Sequence, residues 1–217
     1  MSAPVFHPRP DDHGAPVRLK NPSSPTPLLA WSDPSTTACV VPEGEMPAAV
    51  NGIAIRRWSN APTSDEAWEA LAASQAIGEP PFEVPKGYKK AAGAVIRETD
   101  GRIWVVAPSN AFAGYQATFP KGTMDGKSAQ ATALVEVFEE SGLQVRLIRH
   151  LIDVPRTQSY TRYYLAERVG GNPADMGWET QAVMLAPKFQ LAVLLNNPND
   201  TAIVNALMTL GETAIRR

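Results

Sequence analysis

Apolar runs bounded by turn residues dominate residues 89–186 and predict a series of β-strands. The segment AAGAVIRETDGRIWVVAP (91–108) contains two β-rich runs around Thr99-Asp100-Gly101, which is typical of a hairpin turn. Further strands are predicted at QATFP (116–120), VRLIRHLIDV (145–154), SYTRYYLAERV (159–169) and TQAVMLA (180–186).

A helical period replaces this pattern between Ser128 and Ser141. Ser128 is the expected N-cap and Gly142 the expected terminator. Four apolar residues recur at the spacing of one helical face and predict a side that packs on the core: Ala131, Leu134, Val135 and Phe138.

The C-terminal part of the chain predicts two more helices. Pro187 opens the first, over KFQLAVLLNN, the segment NPND interrupts it, and residues 201–210 form the last. Strands with interspersed helices but no regular βαβ repeat predict a mixed α/β or α+β sandwich.

The composition changes near residue 45. Nine of the 20 prolines lie in residues 1–45, so this segment is predicted to be a proline-rich extended or mobile arm. Residues 46–88 predict a small appendage with a strand at NGIAIRRW and a helix at PTSDEAWEALAAS, where Thr63 and Glu66 have the spacing of a capping box. Residues 89–217 are predicted to form the main domain.

Charge and composition exclude several classes of protein. The net charge of -2 and the pI of about 5.9 provide no basic field for nucleic acid, and no apolar run approaches a membrane span of about 18 residues. The first residues lack the layout of a secretory signal. Cys39 is the only cysteine, so we expect a reducing, cytoplasmic location and no intrachain disulfide.

Three carboxylates lie on the polar side of the helix between Ser128 and Ser141. Glu136, Glu139 and Glu140 repel one another there, and no lysine or arginine occurs from Ser128 to Leu143 to offset them. The helix alone leaves two readings open, a solvated acidic face and a divalent-metal site. The preceding loop, with Lys121, Gly122 and Gly126, favours a metal-bridged phosphate site.

Residues 119–143, FPKGTMDGKSAQATALVEVFEESGL, resemble the Nudix box, whose family pattern is G-x5-E-x7-R-E-U-x-E-E-x-G-U with U a bulky aliphatic residue. Gly122 matches the opening glycine, and residues 136–143 match the closing E-U-x-E-E-x-G-U without a gap. The resemblance covers about residues 89–210 and implies the Nudix fold, in which a mixed β-sheet lies between helices.

The chain departs from the family pattern in three ways. The loop is one residue short, Lys127 or Ser128 stands where the family has its first glutamate, and Val135 replaces the family's arginine. In the family these two residues are understood to pair and brace the loop rather than to bind the metals. The resemblance therefore still implies an active enzyme.

The activity implied by the resemblance is metal-dependent hydrolysis of a pyrophosphate bond in a nucleoside diphosphate linked to a group X. Mg²⁺ or Mn²⁺ would be held by Glu136, Glu139 and Glu140, with the carbonyl of Gly122 as a further ligand. Glu136 would bind a metal or orient the attacking water. Glu179 occupies a place where relatives often supply a further base, although a solvated loop carboxylate is an equal reading.

The candidate substrate contacts are Lys121, Arg156, Arg162 and Tyr115. The expected partner is a small phosphoanhydride, and nucleic acid is disfavoured except as a 5′-phosphorylated RNA end. A homodimer stays open, and no membrane contact is expected. The alternative function is a catalytically silent Nudix-fold module that senses a ligand or binds a protein.

Overall fold

The computed structural model describes residues 3–213 and arranges them around a mixed β-sheet. The strands are β1 (Val5–Phe6), β2 (Arg18–Leu19), β3 (Ala38–Val40), β4 (Ala49–Val50), β5 (Ile53–Ala54), β6 (Lys89–Arg97), β7 (Ile103–Pro108), β8 (Lys121–Thr123), β9 (Leu143–Pro155), β10 (Ser159–Gly171) and β11 (Thr180–Ala186). The α-helices are α1 (Asp65–Ser74), α2 (Ala129–Ser141), α3 (Leu191–Leu194) and α4 (Thr201–Thr213). Short 3-10 segments lie at Leu28–Ser32, Ser109–Gly114, Pro173–Asp175, Lys188–Gln190 and Pro198–Asp200.

The central sheet has seven strands, in the order β3-β11-β7-β6-β10-β9, and β8 also pairs with β6. β10 pairs with one edge of β6 and runs parallel to it, whereas β7 and β8 both pair with the other edge of β6. All pairs of the sheet other than β6–β10 are antiparallel. Alternate residues of β6 face opposite sides of the sheet. Ala92 and Ala94 join the core that contains Leu134 of α2, while Val95 packs with Ile203 of α4. The predicted mixed sheet between helices is confirmed.

Most predicted strands are present, but the segment QATFP is not one of them. Only Thr118 makes a bridge there, with Val106, and the ladder strand β8 begins one residue after Pro120. Pro120 has no N–H to donate to a ladder. Gly93 is required opposite β8, because an added Cβ would overlap the carbonyl oxygen of Pro120.

Two helix predictions are corrected at their ends. The cap of α1 is Ser64, whose hydroxyl accepts a hydrogen bond from the backbone N–H of Ala67, and not Thr63. The helix predicted over 188–197 is a 3-10 turn followed by the single-turn helix α3, and α4 extends to residue 213. Within residues 3–213, no helix is long and apolar enough to cross a membrane.

Residues 3–45 of the predicted extended or mobile arm lie against the sheet. β3 pairs with β11 at the sheet edge, and Trp31 is buried with its ring centroid 5.8 Å from that of Trp104. The buried guanidinium of Arg102 donates to the backbone carbonyls of Ala30 (3.1 Å), Trp31 (2.6 Å) and Asp33 (3.1 Å). The proline-rich chain thus obtains from the sheet the hydrogen bonds that it cannot make within itself.

The segment 46–88 packs on α2. β4 and β5 form a hairpin, and α1 follows it along the chain. Trp58 and Trp68 contact Phe138 of α2, with ring centroids 5.3 Å and 5.9 Å apart. Aromatic side chains that would be costly to expose are therefore buried against the main domain.

Replacement of Trp31 by alanine tests whether the first 45 residues stabilise the sheet. Trp31 is 2% exposed, so we expect Trp31→Ala to lower the free energy of unfolding in urea by about 3 kcal/mol. The control is Leu29→Ala in the same 3-10 segment, where Leu29 is 79% exposed and we expect a change within about 0.5 kcal/mol. Equal effects of the two substitutions would contradict this packing.

Candidate active site

Helix α2 has the ends and the faces that its sequence predicts. The Ser128 hydroxyl accepts from the backbone N–H of Ala131 at 3.2 Å, and Gly142 ends the helix in the left-handed region with φ of 66°. The predicted core positions Ala131, Leu134 and Val135 are buried, and Phe138 is partly buried. Another side of the helix carries the three glutamates, of which Glu136 and Glu140 lie against β8.

Gly122 is fixed beside the first glutamate of the helix. β8 pairs antiparallel with β6, with Gly122 opposite Ala92. A Cβ added to Gly122 would overlap the carboxylate of Glu136. The glycine is therefore required because the Glu136 carboxylate lies directly against the backbone of β8.

Glu140 contacts the same short strand. The backbone N–H of Lys121 donates a hydrogen bond of 3.1 Å to Oε2 of Glu140. The Lys121 ammonium also acts on the carboxylates, since its charge lowers the pKa of both Glu136 and Glu140. Lys121 and Gly122 thus lie between two of the predicted metal ligands.

The nearby positive charge of Lys121 does not balance the negative charge of the glutamates. Burial, and then the Glu140 and Glu139 carboxylates, raise the pKa of Glu136 to about 9. Burial raises the pKa of Glu140 to about 7, although the Lys121 ammonium opposes this shift. Partial burial, followed by the Glu179 carboxylate, raises the pKa of Glu139. Each shift means that the ionised form is disfavoured in the folded protein.

Glu179 joins this group from the other end of the sequence. Its backbone carbonyl accepts from the Ser109 N–H at 2.7 Å, which fixes the chain just before β11. Burial, and then the Asp12 carboxylate, raise the pKa of Glu179. Its charge in turn raises the pKa of Glu136, Glu139 and Glu140, so Glu179 lies near enough to interact electrostatically with the three glutamates of α2.

Asp12 is an acidic residue near the site that the sequence analysis missed. Oδ1 of Asp12 accepts a 3.0 Å hydrogen bond from Nε1 of Trp178, the residue before Glu179. Its negative charge contributes to the raised pKa of Glu139 as well as that of Glu179. No motif in the N-terminal segment indicates this contact, which arises only because the segment folds back over the sheet.

A divalent cation fits the chemistry of this donor set. Carboxylate oxygens are the ligands that Mg²⁺ and Mn²⁺ favour, and a bound cation would offset both the burial and the mutual repulsion that raise the pKa values. Within residues 3–213, no three acidic, histidine or cysteine side chains already stand in an arrangement that holds an ion.

A cavity of about 370 Å³ opens next to the carboxylates. Glu136 and Glu139 lie on one wall, Thr123 and Asp125 on the loop side, and the N-terminal end of α1 lies opposite. The appendage 46–88 thus forms part of the cleft beside the candidate metal ligands.

Arg156, a predicted substrate contact, lies in the protein interior. Its guanidinium is buried and donates to Oδ1 of Asp200 at 2.7 Å, to the Tyr163 hydroxyl at 2.9 Å and to the Thr118 hydroxyl at 3.2 Å. The Tyr115 ring is also buried, 5.1 Å from the Arg156 guanidinium carbon. Arg156 and Tyr115 therefore belong to a buried cluster that joins β9 and β10 to the start of α4.

Arg162 is also used inside the fold. Nε and one terminal nitrogen bind Asp153 at 2.8 Å and 2.7 Å, and the guanidinium donates to the carbonyls of Pro80 and Pro81. The Phe82 ring lies 4.4 Å from the guanidinium carbon. Arg162 thus fixes the proline linker to β10, and its side chain is 1% exposed.

Comparisons with known proteins agree with this architecture. Residues 87–205 match the NUDIX domain family model. RNA pyrophosphohydrolase from Cronobacter sakazakii (strain ATCC BAA-894) is 30% identical over 119 residues, which are 54% of this chain and 60% of that protein. The chain thus spans less than two thirds of the length of this relative.

Two solved structures are similar at lower identity. A C. elegans Ap4A hydrolase is 16% identical with a TM-score of 0.48, covering 58% of this chain and 98% of that one. A NUDIX hydrolase from Nitrosomonas europaea is 16% identical with a TM-score of 0.47, covering 57% and 90% of the two chains. The family model covers more than half of the chain and includes the whole of α2 with its glutamates, and the chain therefore belongs to the Nudix family.

Proposed function

We propose that this protein is a metal-dependent hydrolase that cleaves a pyrophosphate bond in a nucleoside diphosphate linked to another group. The observation that supports this most strongly is the convergence of Glu136, Glu139, Glu140 and Glu179 around Lys121 and Gly122. A solvated acidic face would not raise the pKa of a glutamate to about 9. The cluster costs folding stability, and a cation together with an anionic substrate would compensate for it.

The glutamates of α2 and the backbone of β8 have distinct roles in this proposal. Glu136, Glu139 and Glu140 hold Mg²⁺ or Mn²⁺, with the Gly122 carbonyl as a further ligand. When bound, the cation neutralises charge on the phosphate oxygens and makes a water molecule more acidic. The hydrogen bond from Lys121 to Glu140 keeps that carboxylate oriented, and the glycine lets the metal ligands approach the strand.

Glu179 and Lys121 supply the remaining chemistry. The raised pKa of Glu179 brings its carboxylate closer to the range in which a general base is effective, so Glu179 accepts a proton from the attacking water. The Lys121 ammonium, whose charge reaches Glu136, Glu140 and Glu179, binds a phosphate oxygen of the substrate.

The substrate class is a phosphoanhydride that carries a nucleotide. The relative from Cronobacter sakazakii acts on RNA, so the 5′-phosphorylated end of an RNA is included beside small nucleotides. A reducing compartment such as the cytoplasm suits the buried thiol of Cys39. A silent ligand-sensing module is the alternative, and it predicts nucleotide binding without turnover.

Substitution of the metal ligands tests the activity. The assay measures phosphate or nucleotide release with Mg²⁺ or Mn²⁺ from nucleoside triphosphates, ADP-ribose, dinucleoside polyphosphates and 5′-triphosphate RNA. We expect Glu139→Gln and Glu140→Gln each to lower kcat/KM by about 100-fold or more, because metal contacts contribute several kcal/mol to the transition state. Exposed Glu83→Gln is the control and should leave the rate unchanged. Wild-type rates in both helix variants would contradict the metal assignment.

The pH dependence of stability tests the charge repulsion separately from turnover. The pKa of Glu136 is raised in the folded protein, so the native state binds more protons than the unfolded chain between about pH 4.5 and 9, and stability falls as the pH rises through this window. In EDTA at pH 8 we expect Glu136→Gln to raise the free energy of unfolding by about 1 kcal/mol, which corresponds to a Tm increase of roughly 2–4 °C. The gain should shrink toward pH 5.

The same measurement on Glu83→Gln provides the comparison for an exposed carboxylate. A gain that is equal at pH 5 and pH 8, or a loss of stability in Glu136→Gln, would show that Glu136 is not under the charge repulsion described above.

A further inference from the structure

The helix α1 lies outside residues 87–205 but is bonded to the first turn of α2. The carboxylate of Glu69 accepts a hydrogen bond of 2.6 Å from the backbone N–H of Ser128 and one of 2.8 Å from the Ser128 hydroxyl. Because the two bonds go to the backbone and to the side chain of Ser128, they restrain both its main chain and its hydroxyl.

Ser128 is the point at which the loop of the site ends and α2 begins. Its hydroxyl accepts from the backbone N–H of Ala131, and its carbonyl accepts from the N–H of Thr132 at 2.9 Å. The other end of the loop is fixed by the pairing of β8 with β6. Glu69 therefore holds the second anchor of the segment 121–128.

The electrostatic setting makes the Glu69 contact favourable. The first turn of α2 contains no acidic residue of its own, and the N-terminus of a helix carries partial positive charge. Glu69 supplies a carboxylate at that position from a different helix. A nearby ion pair between Lys127 and Asp65, at 3.2 Å, adds little because the Asp65 side chain is 67% exposed.

The position of Glu69 is itself well defined. The Trp68 ring contacts Phe138, and the side-chain amide of Gln130 exchanges two hydrogen bonds with the backbone of Ile77, at 2.9 Å and 3.1 Å. Contacts with α2 are therefore made both just before Glu69, by Trp68, and after it, by Ile77. This arrangement makes α1 a rigid support rather than a loosely attached helix.

We propose that Glu69 is a positioning residue for the hydrolysis, acting through Ser128 on the segment 121–128. The inference rests on the proposed function, because the groups that it positions are the loop residues Asp125 and Lys127, which lie between β8 and Ser128. Both residues line the cavity beside Glu136 and Glu139, so a displacement of the loop changes the cleft next to the proposed metal ligands. Misplacement of a catalytic site by about 1 Å is enough to reduce turnover by up to about 100-fold.

The test compares Glu69→Ala and Glu69→Gln with the control Glu66→Ala, whose carboxylate bonds to Ser64 within α1 itself. Steady-state kcat and KM are measured with Mn²⁺ on the best substrate of the assay panel. For Glu69→Ala we expect kcat to fall about tenfold with KM changed less than about twofold. Glu69→Gln, which retains one acceptor, should recover part of kcat, and the control should match the wild type.

A second readout follows the loop without using activity. We expect Glu69→Ala to increase deuterium uptake in peptides that cover residues 121–128, while Tm changes by less than about 3 °C. The control should leave uptake unchanged. If the wild type shows no turnover, the proposed function fails, yet uptake still decides whether Glu69 holds the loop. Unchanged uptake in Glu69→Ala would overturn the proposal.

A double-mutant cycle with Ser128→Ala tests the route of the effect. Ser128→Ala removes only the hydroxyl bond, because the backbone N–H that donates to Glu69 remains. If Glu69 acts through Ser128, the double variant should lose less kcat than the product of the two single losses. Losses that multiply would show that the hydroxyl bond does not carry the effect, and would count against the proposal.

Discussion

The mutual repulsion of the glutamates on α2 is the constraint on which the site depends. The helix fixes Glu136, Glu139 and Glu140 within two turns, and β8 presses its backbone against two of them. Partial burial of Glu136 and Glu140 limits the screening of their charges by water, and the single positive charge of Lys121 does not balance them. The folded protein therefore stores an unfavourable interaction that a cation and a phosphate would relieve. In the proposed function, the stability lost at this place would be exchanged for affinity for such ligands.

The rest of the molecule holds the backbone against this repulsion. The apolar face of α2 is anchored on β6, and the pairing of β8 with β6 fixes the opposite side of the site. The segments before residue 87 add to this frame, since β3 extends the sheet and α1 bonds to Ser128. The proline-rich start of the chain also brings Asp12 to the edge of the acidic group. The site of this chain thus includes elements beyond the region that matches the family.

The local features of the site could be predicted from the sequence. The caps of α2, its apolar face and the three glutamates follow from the spacing of neighbouring residues, and Gly122 follows from the family pattern. The sequence predicts Arg156 and Arg162 as substrate contacts because it does not reveal their partners in the fold, Asp200 and the carbonyls of Pro80 and Pro81, which are distant along the chain. A short-range pattern contains no information on such pairs. The same limit applies to Glu69, which only the fold brings to Ser128.

The most direct measurement of the central claim is the dependence of Tm on Mn²⁺ concentration at constant ionic strength and pH 7.5. A cation that binds only the folded protein raises Tm progressively with its concentration. The wild type should show this rise, and the double variant Glu139→Gln with Glu140→Gln should lose it while Mn²⁺ is varied over the same range. An equal rise in both proteins, or no rise in the wild type, would contradict the claim that these carboxylates form a metal site.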